Sequence, residues 1–285
     1  SRPQSRRESD RMPEAEKNFL VAVVQFAPTD DRVRNRDLIG AFTAVAAARG
    51  ARLVVFPEYS SFFVHPLSEA FAHNAEALEG EFVGALAEAA REHGVFVVAG
   101  LVEKTDEARR FSNTLVAVSP LGDVVATYRK QHLYDAFGAR ESEWVVAGAL
   151  DAPQTFDVDG TSVGMQTCYD IRFPEVTRRL VDAGAELVLV PAEWVRGPLK
   201  EHHWRTLVTA RAIENTIFVA AADHTPPIGV GTSLIVDPMG VAIAALGETA
   251  GVAVAEVSRA RIREVREANP SLALRRYEVR PKPAS

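Results

Sequence analysis

The stretches "ARLVVFPEY" (51–59) and "AELVLVPAEW" (185–194) share one plan. Each begins at a small residue, runs through apolar β-formers, reaches a proline and ends on glutamate and an aromatic ring. A run this short and this apolar reads as a buried strand, and its polar end reads as the start of a loop. Working outward from each copy finds the same neighbours in the same order. "FLVAVVQFA" (19–27) precedes the first copy as a strand, and "TSVGMQTC" (161–168) precedes the second. Between strands come helix-period segments over 35–49 and about 174–183, stopped by Gly50 and Gly184. The first of these sets Leu38, Ile39, Phe42, Val45 and Ala46 on one face. Helices near 79–92 and 200–214 follow, then the strands "VFVVAGLVEK" (95–104) and "TIFVAAAD" (216–223). The hairpins "FSNTLVAVSPLGDVVATYRK" (111–130) and "GTSLIVDPMGVAIAALGE" (231–248) complete the two copies.

Matching order across about 100 residues implies an internal duplication in an α/β protein. Each half is a sheet covered by two helices with one apolar face left open. Packing the two open faces together buries both, which predicts a four-layer α-β-β-α sandwich. The expected organisation is a flexible tail over 1–18, one domain over 19–268 and a C-terminal arm over 269–285. The arm has too few apolar residues to fold alone.

Composition narrows the functional classes. The net charge of −6 gives no general attraction to nucleic acid or to an anionic membrane. No apolar run approaches the roughly 20 residues of a membrane span. The first 18 residues lack an apolar core, so they do not read as a secretory signal. The chain carries one cysteine, which excludes an intramolecular disulfide and suits a reducing cytoplasm.

That cysteine, Cys168, lies in "QTCYDIRFPE" (166–175) and reads as a buried filler, a metal ligand without thiolate companions, or a nucleophile. Glu58, Lys130 and Cys168 all fall where strands finish, the region in which α/β proteins collect reactive groups. A thiol near its reference pKa of about 8.5 needs a base, which Glu58 supplies. Attack on a carbonyl or nitrile carbon develops negative charge, which the Lys130 ammonium and the backbone N–H of Tyr169 would stabilise. "EHHW" (201–204) does not read as a metal site, because adjacent helical residues diverge by about 100° and no companions stand at ligand spacing. His132 reads as a structural hydrogen-bonder. The chain has neither a glycine-rich phosphate loop nor a serine nucleophile elbow.

"FPEY" (56–59), "YRKQHLYDAFGARESE" (128–143) and "CYDIRFPE" (168–175) resemble the nitrilase superfamily of carbon–nitrogen hydrolases, and the resemblance covers about residues 19–276. It implies a Glu58–Lys130–Cys168 triad and a second site glutamate at Glu141, with Glu143 as the competing placement. "KQHLYDAFG" with "CYDIRFPE" is most similar to Nit-type ω-amidases and deaminated-glutathione amidases. The implied reaction is hydrolysis of a small amide through a thioester, with no cofactor. The same triad would serve nitriles or N-carbamoyl amines, and a non-catalytic partner-binding protein on this fold is the third reading. A homodimer or higher homo-oligomer is also implied, with the region after the cysteine helix and the C-terminal arm meeting across the interface. Glu193 departs from the small pair usual before Trp194; facing the pocket, it would disfavour a substrate carboxylate there or pair with Arg172 or Arg196, and otherwise it faces solvent or an interface. Arg172 either binds a substrate carboxylate or pairs with Asp170 or Glu175. Tyr134 and Trp194 are candidate pocket residues, and the loops 61–74 and 223–231 are expected to help close the pocket.

Overall fold

The computed structural model describes residues 17–282. The expected tail over 1–18 therefore lies mostly outside the described residues. The first half comprises β1 (Phe19–Gln25), α1 (Arg32–Ala48), β2 (Ala51–Val55), a single turn α2 (Ala70–His73), α3 (Glu81–His93), β3 (Phe96–Lys104), β4 (Phe111–Val118) and β5 (Val124–Arg129). After a connecting strand, β6 (Thr155–Val158), the second half comprises β7 (Thr161–Met165), α4 (Pro174–Asp182), β8 (Leu187–Pro191), α5 (Lys200–Asn215), β9 (Phe218–Ala222), β10 (Leu234–Val236) and β11 (Ala242–Ala245). The chain closes with β12 (Gly251–Val257) and α6 (Arg259–Ala268).

The sheets are ordered β12-β1-β2-β3-β4-β5 and β11-β10-β9-β8-β7-β6. In both, three parallel strands are extended on one side by an antiparallel hairpin. On the other side a single antiparallel strand is added, β12 on β1 and β6 on β7. The duplication is thus a matched pair of six-stranded sheets.

Alternation along each strand explains the layers. Val21, Val23, Leu53 and Val55 meet Val163, Met165, Leu187 and Leu189 in one core between the sheets. Their neighbours Ala22, Val24 and Val54 turn outward onto Ile39 and Ala46 of α1 and onto Phe82 and Leu86 of α3. In the second half Val188, Val190 and Val219 pack on Leu180 of α4 and on Trp204 and Val208 of α5. Strands buried on both faces read as continuous apolar runs, which is why the duplicated stretches show no alternation.

Three details differ from the sequence reading. Val45 is about half exposed, because the buried stripe of α1 runs through Asn35, Ile39, Thr43 and Ala46. The strand β6 was not anticipated, although "VDGT" carries its signal: Asp159 and Gly160 both adopt positive φ, as a tight hairpin turn requires. Neither β12 nor α6 was anticipated; Ser258 caps α6 by accepting from the Arg261 N–H.

Candidate active site

Glu58 sits three residues beyond β2, at the mouth between the sheets. Its backbone is held from two directions. The Gly100 N–H donates to the Pro57 carbonyl at 3.1 Å, and a Cβ on Gly100 would lie 2.8 Å from the Glu58 Cα, so β3 needs glycine there. From the second half, His224 Nε2 donates to the Glu58 carbonyl at 2.6 Å. Burial pulls the imidazole pKa of His224 down to about 4, so the ring is neutral.

The Glu58 carboxylate accepts from Lys130 Nζ at 3.0 Å, from Asn113 Nδ2 at 2.6 Å and from the Glu193 backbone N–H at 2.6 Å. Lys130 follows β5 directly, and its ammonium also donates to Glu141 at 2.9 and 3.1 Å. Tyr59 donates from its hydroxyl to Glu141 at 2.7 Å, and the Tyr134 N–H closes the ring of donors on the same carboxylate. Glu58, Lys130 and Glu141 are each at most 2% exposed. Two carboxylates around one ammonium in low dielectric form a tightly bound, charge-assisted cluster. Burial acts to lower the Lys130 pKa, but Glu141 and Glu58 outweigh it and raise the value well above that of an ordinary lysine. Burial raises the Glu58 pKa, with Lys130 opposing and Glu141 reinforcing it.

Cys168 lies three residues beyond β7, in a 3₁₀ turn running from Cys168 to Arg172. Its φ of +46° is uncommon for a residue with a side chain and marks a sharp reversal after the strand. Asp170 organises this turn: it accepts from Tyr128 OH at 2.6 Å, from the His132 N–H at 2.9 Å and from the Thr167 N–H at 3.3 Å. His132 also contacts Asp170 through Nδ1 at 2.8 Å and stacks on Phe173, so its place is structural. The thiol is 3.5 Å from the Glu193 carbonyl. Burial, together with the Glu58 charge, raises the thiol pKa well above its reference, with Lys130 acting in the opposite sense.

Glu58, Lys130, Glu141 and Cys168 line one cavity of about 620 Å³, a size suited to a small organic molecule. His65, Pro66 and Leu67 contribute part of its wall, so the loop over 61–74 does reach the pocket. The loop over 223–231 does not line it. Asp223 instead accepts from the Trp194 and Val230 N–H groups behind the site.

The remaining sequence candidates separate. Glu141 joins the cluster, whereas Glu143 is exposed at the cavity rim, 3.6 Å from Arg140. Glu193 lines the cavity and forms no ion pair with Arg172 or Arg196; Arg196 contacts Glu201 and Glu248 instead. Burial, with the nearby Glu58 charge, raises its carboxyl pKa well above the usual range. Arg172 is a correction: it pairs with neither Asp170 nor Glu175 and does not line the cavity. Its guanidinium lies over the Trp194 and Phe137 rings at 4.8 and 5.3 Å and contacts His203 Nδ1 at 3.2 Å. Tyr134 lines the main cavity, while Tyr169 and Trp194 border a smaller recess beside Cys168.

The sequence and the fold are matched elsewhere. The carbon-nitrogen hydrolase family model matches residues 20–267. The chain belongs to the carbon–nitrogen hydrolase family. It is 40% identical to the deaminated glutathione amidase of Escherichia coli O157:H7 over 259 residues, which is 91% of this chain and 98% of that protein. The NitFhit protein of C. elegans superposes with a TM-score of 0.84 at 29% identity, covering 92% of this chain and 66% of that one. A doubly substituted form of the amidase from Nesterenkonia sp. AN1 in complex with acrylamide gives a TM-score of 0.76 at 27% identity, over 90% and 97% of the two chains. Family and neighbours agree that this carbon–nitrogen hydrolase is an enzyme acting on amides.

Sequence reasoning missed Asn113, Tyr59, Asp223, His224 and Lys200. Tyr59, Asn113 and Asp223 sit inside quoted stretches but carry no functional reading there. Asn113 is a polar residue inside the fully buried β4, and that was its available signal.

Proposed function

We propose that the chain hydrolyses the carboxamide of a small linear amide through a thioester on Cys168. The observation that carries this reading is the convergence of a carboxylate, an ammonium and a lone thiol on one cavity. The resting thiol is protonated, so Glu58 takes its proton as the sulfur attacks the carboxamide carbon. Negative charge on the former carbonyl oxygen is met by Lys130 and by the Tyr169 N–H. Collapse breaks the C–N bond, and Glu58 returns the proton to the departing ammonia. Water then gives a proton to Glu58 and attacks the thioester carbon. The C–S bond breaks, the acid leaves, and the thiolate recovers its proton from Glu58. A carboxyl whose pKa is raised by burial suits this alternation of base and acid. Glu141 holds the Lys130 ammonium in place throughout.

The name of the Escherichia coli relative points to deaminated glutathione as substrate, and the sequence resemblance to Nit-type ω-amidases points to the ω-amide of a 2-oxo acid. Ammonia release from 2-oxo-dicarboxylic monoamides and from deaminated glutathione tests the reading. Carbon dioxide appearing beside ammonia from N-carbamoyl amines would move the substrate class. Cys168→Ala is expected to lower turnover by roughly 1000-fold or more, and a mass increase matching an acyl group on the intact chain is expected only when Cys168 is present. Retained turnover in that variant overturns the mechanism.

We also propose a cytoplasmic homodimer. The described helices include none long and apolar enough to cross a membrane, and the single free thiol fits a reducing compartment. The arm after α6 exposes Leu274 and Tyr277, which a partner subunit would cover.

A further inference from the structure

Four cations line the catalytic cavity: Lys130, Arg140, Arg196 and Lys200. Lys130 is held by Glu58 and Glu141. Arg140 contacts Glu143, and Arg196 contacts Glu201 and Glu248. Lys200 differs. It opens α5, is only 4% exposed, and has no carboxylate within ion-pairing distance among the described residues. Its ammonium donates to Tyr134 OH at 2.8 Å and otherwise meets ring faces, at 4.2 Å from Phe137, 5.0 Å from Tyr134 and 5.7 Å from Trp194. Arg172 lies over two of these rings, Phe137 and Trp194, and adds a second positive charge.

Aromatic faces offset part of the cost of burying an ammonium, but they do not neutralise it. Burial and the Arg172 charge both lower the Lys200 pKa, with Cys168 and Glu193 acting in the opposite sense. Glu193 also lines the cavity, and burial, with the Glu58 charge, raises its carboxyl pKa well above the usual range. An uncompensated buried charge inside a substrate cavity is a place for the substrate's own opposite charge.

We propose that Lys200 and the Tyr134 hydroxyl form a carboxylate-binding subsite, which selects amides carrying an anionic group at the end remote from the scissile bond. Tyr134 suits this role. Its pKa is pushed up to about 12, chiefly by burial, so the hydroxyl keeps its proton. It accepts from Lys200 and donates its own hydrogen to the ligand. The proposal rests on the amidase reading for its chemistry but not for its binding step, and the test separates the two.

The test uses glutarate, which has nothing to hydrolyse, and the amides glutaramate and pentanamide, which share a five-carbon chain and end in carboxylate or methyl. Calorimetry on the full chain is expected to show glutarate binding that weakens roughly 10- to 100-fold in Lys200→Met, the loss typical of a charge-assisted hydrogen bond. Tyr134→Phe keeps the ring and is expected to weaken it about three- to tenfold, providing a second variant should the first not fold. The ratio of kcat/KM for glutaramate over pentanamide falls in parallel. Glutarate affinity unchanged in both folded variants overturns the subsite. Equal use of the two amides by the wild-type chain, with no glutarate binding, also overturns it and leaves the amidase reading standing. Glutarate binding that depends on Lys200, with no ammonia from either amide, supports the subsite and counts against the amidase reading.

Discussion

The two halves of the molecule share a topology and differ at the ends of their strands. Strand register matches Gln25, at the end of the first strand of the first half, with Thr167 of the second, and both are fully buried. After Gln25 the chain continues through Phe26 and Ala27; after Thr167 it turns at once into Cys168. The hairpin of the first half ends in Lys130, 2% exposed between two glutamates, whereas its counterpart ends near Glu248, which is exposed and meets Arg196. The apolar sites that hold sheet on sheet are filled alike, because both copies have the same core to make. Chemistry is divided between them: the first half brings carboxylates and ammonium, and the second brings the thiol and the backbone that holds Glu58. Neither half has a site alone.

The largest effect expected from breaking this division is at Lys130. Lys130→Met leaves Glu58 and Glu141 buried without their shared cation. Removing one partner of a buried charged cluster costs about 3–5 kcal/mol, and the oxyanion loses a donor worth on the order of 100–1000-fold in rate. The expected outcome is both a large drop in unfolding free energy and near-complete loss of ammonia release. A variant that keeps wild-type stability would show that the two carboxylates share a proton or separate once the lysine is gone. Exchanging Glu248 on the second hairpin for Met is the control, since its ion pair is exposed and worth roughly 0–1 kcal/mol.

Much of this architecture is legible in the sequence, and the illegible parts have physical reasons. The duplicated apolar runs reveal buried strands because both faces of each sheet are covered. Glu58, Lys130 and Cys168 stand out because each is a reactive group at the end of such a run. The choice between Glu141 and Glu143 is not legible from alternation. They lie in a 3₁₀ turn, where residues two apart point about 240° from each other rather than to opposite faces. Asn113 is hidden because its role depends on β4 running beside both Glu58 and Glu141, a long-range fact. Lys200 reads locally as the first residue of a helix, where lysine is ordinarily solvated. Only the approach of Tyr134, Phe137 and Trp194 from other segments buries it.

The third strand of each half sharpens the contrast by a single methyl. Gly100 in β3 matches Ala222 in β9. A Cβ on Gly100 would fall 2.5 Å from the Tyr59 nitrogen and 2.8 Å from the Glu58 carbonyl carbon, both backbone atoms with little room to yield. Ala222 already carries its methyl within the core between the sheets. Gly100→Ala is therefore expected to displace the Glu58 turn and lower kcat by roughly 100-fold, the scale associated with an ångström of misplacement. Ala222→Gly is expected to cost about 1–2 kcal/mol of stability with a smaller effect on rate. Equal activity losses in the two variants would mean that the turn after β2 is not what positions the acid.

His224 gives the smallest effect and tests the contact between the halves most directly. Its ring is buried, donates from Nε2 to the Glu58 carbonyl, and leaves Nδ1 without a partner. Folding lowers its pKa to about 4 from an unfolded value near 6.5. The folded state therefore excludes a proton that the unfolded state accepts as pH falls. The stability from this group is complete above about pH 7 and is lost progressively as pH drops through 6.5 toward 4. Between pH 7 and pH 5.5 the loss amounts to about 1 kcal/mol. The His224→Gln variant keeps a donor but does not titrate, so the stability gap between it and the wild-type chain should narrow by that amount over the same interval. Denaturant unfolding at the two pH values measures it. A gap that is constant with pH would mean that the ring titrates alike in both states, and so is not sealed between the two sheets.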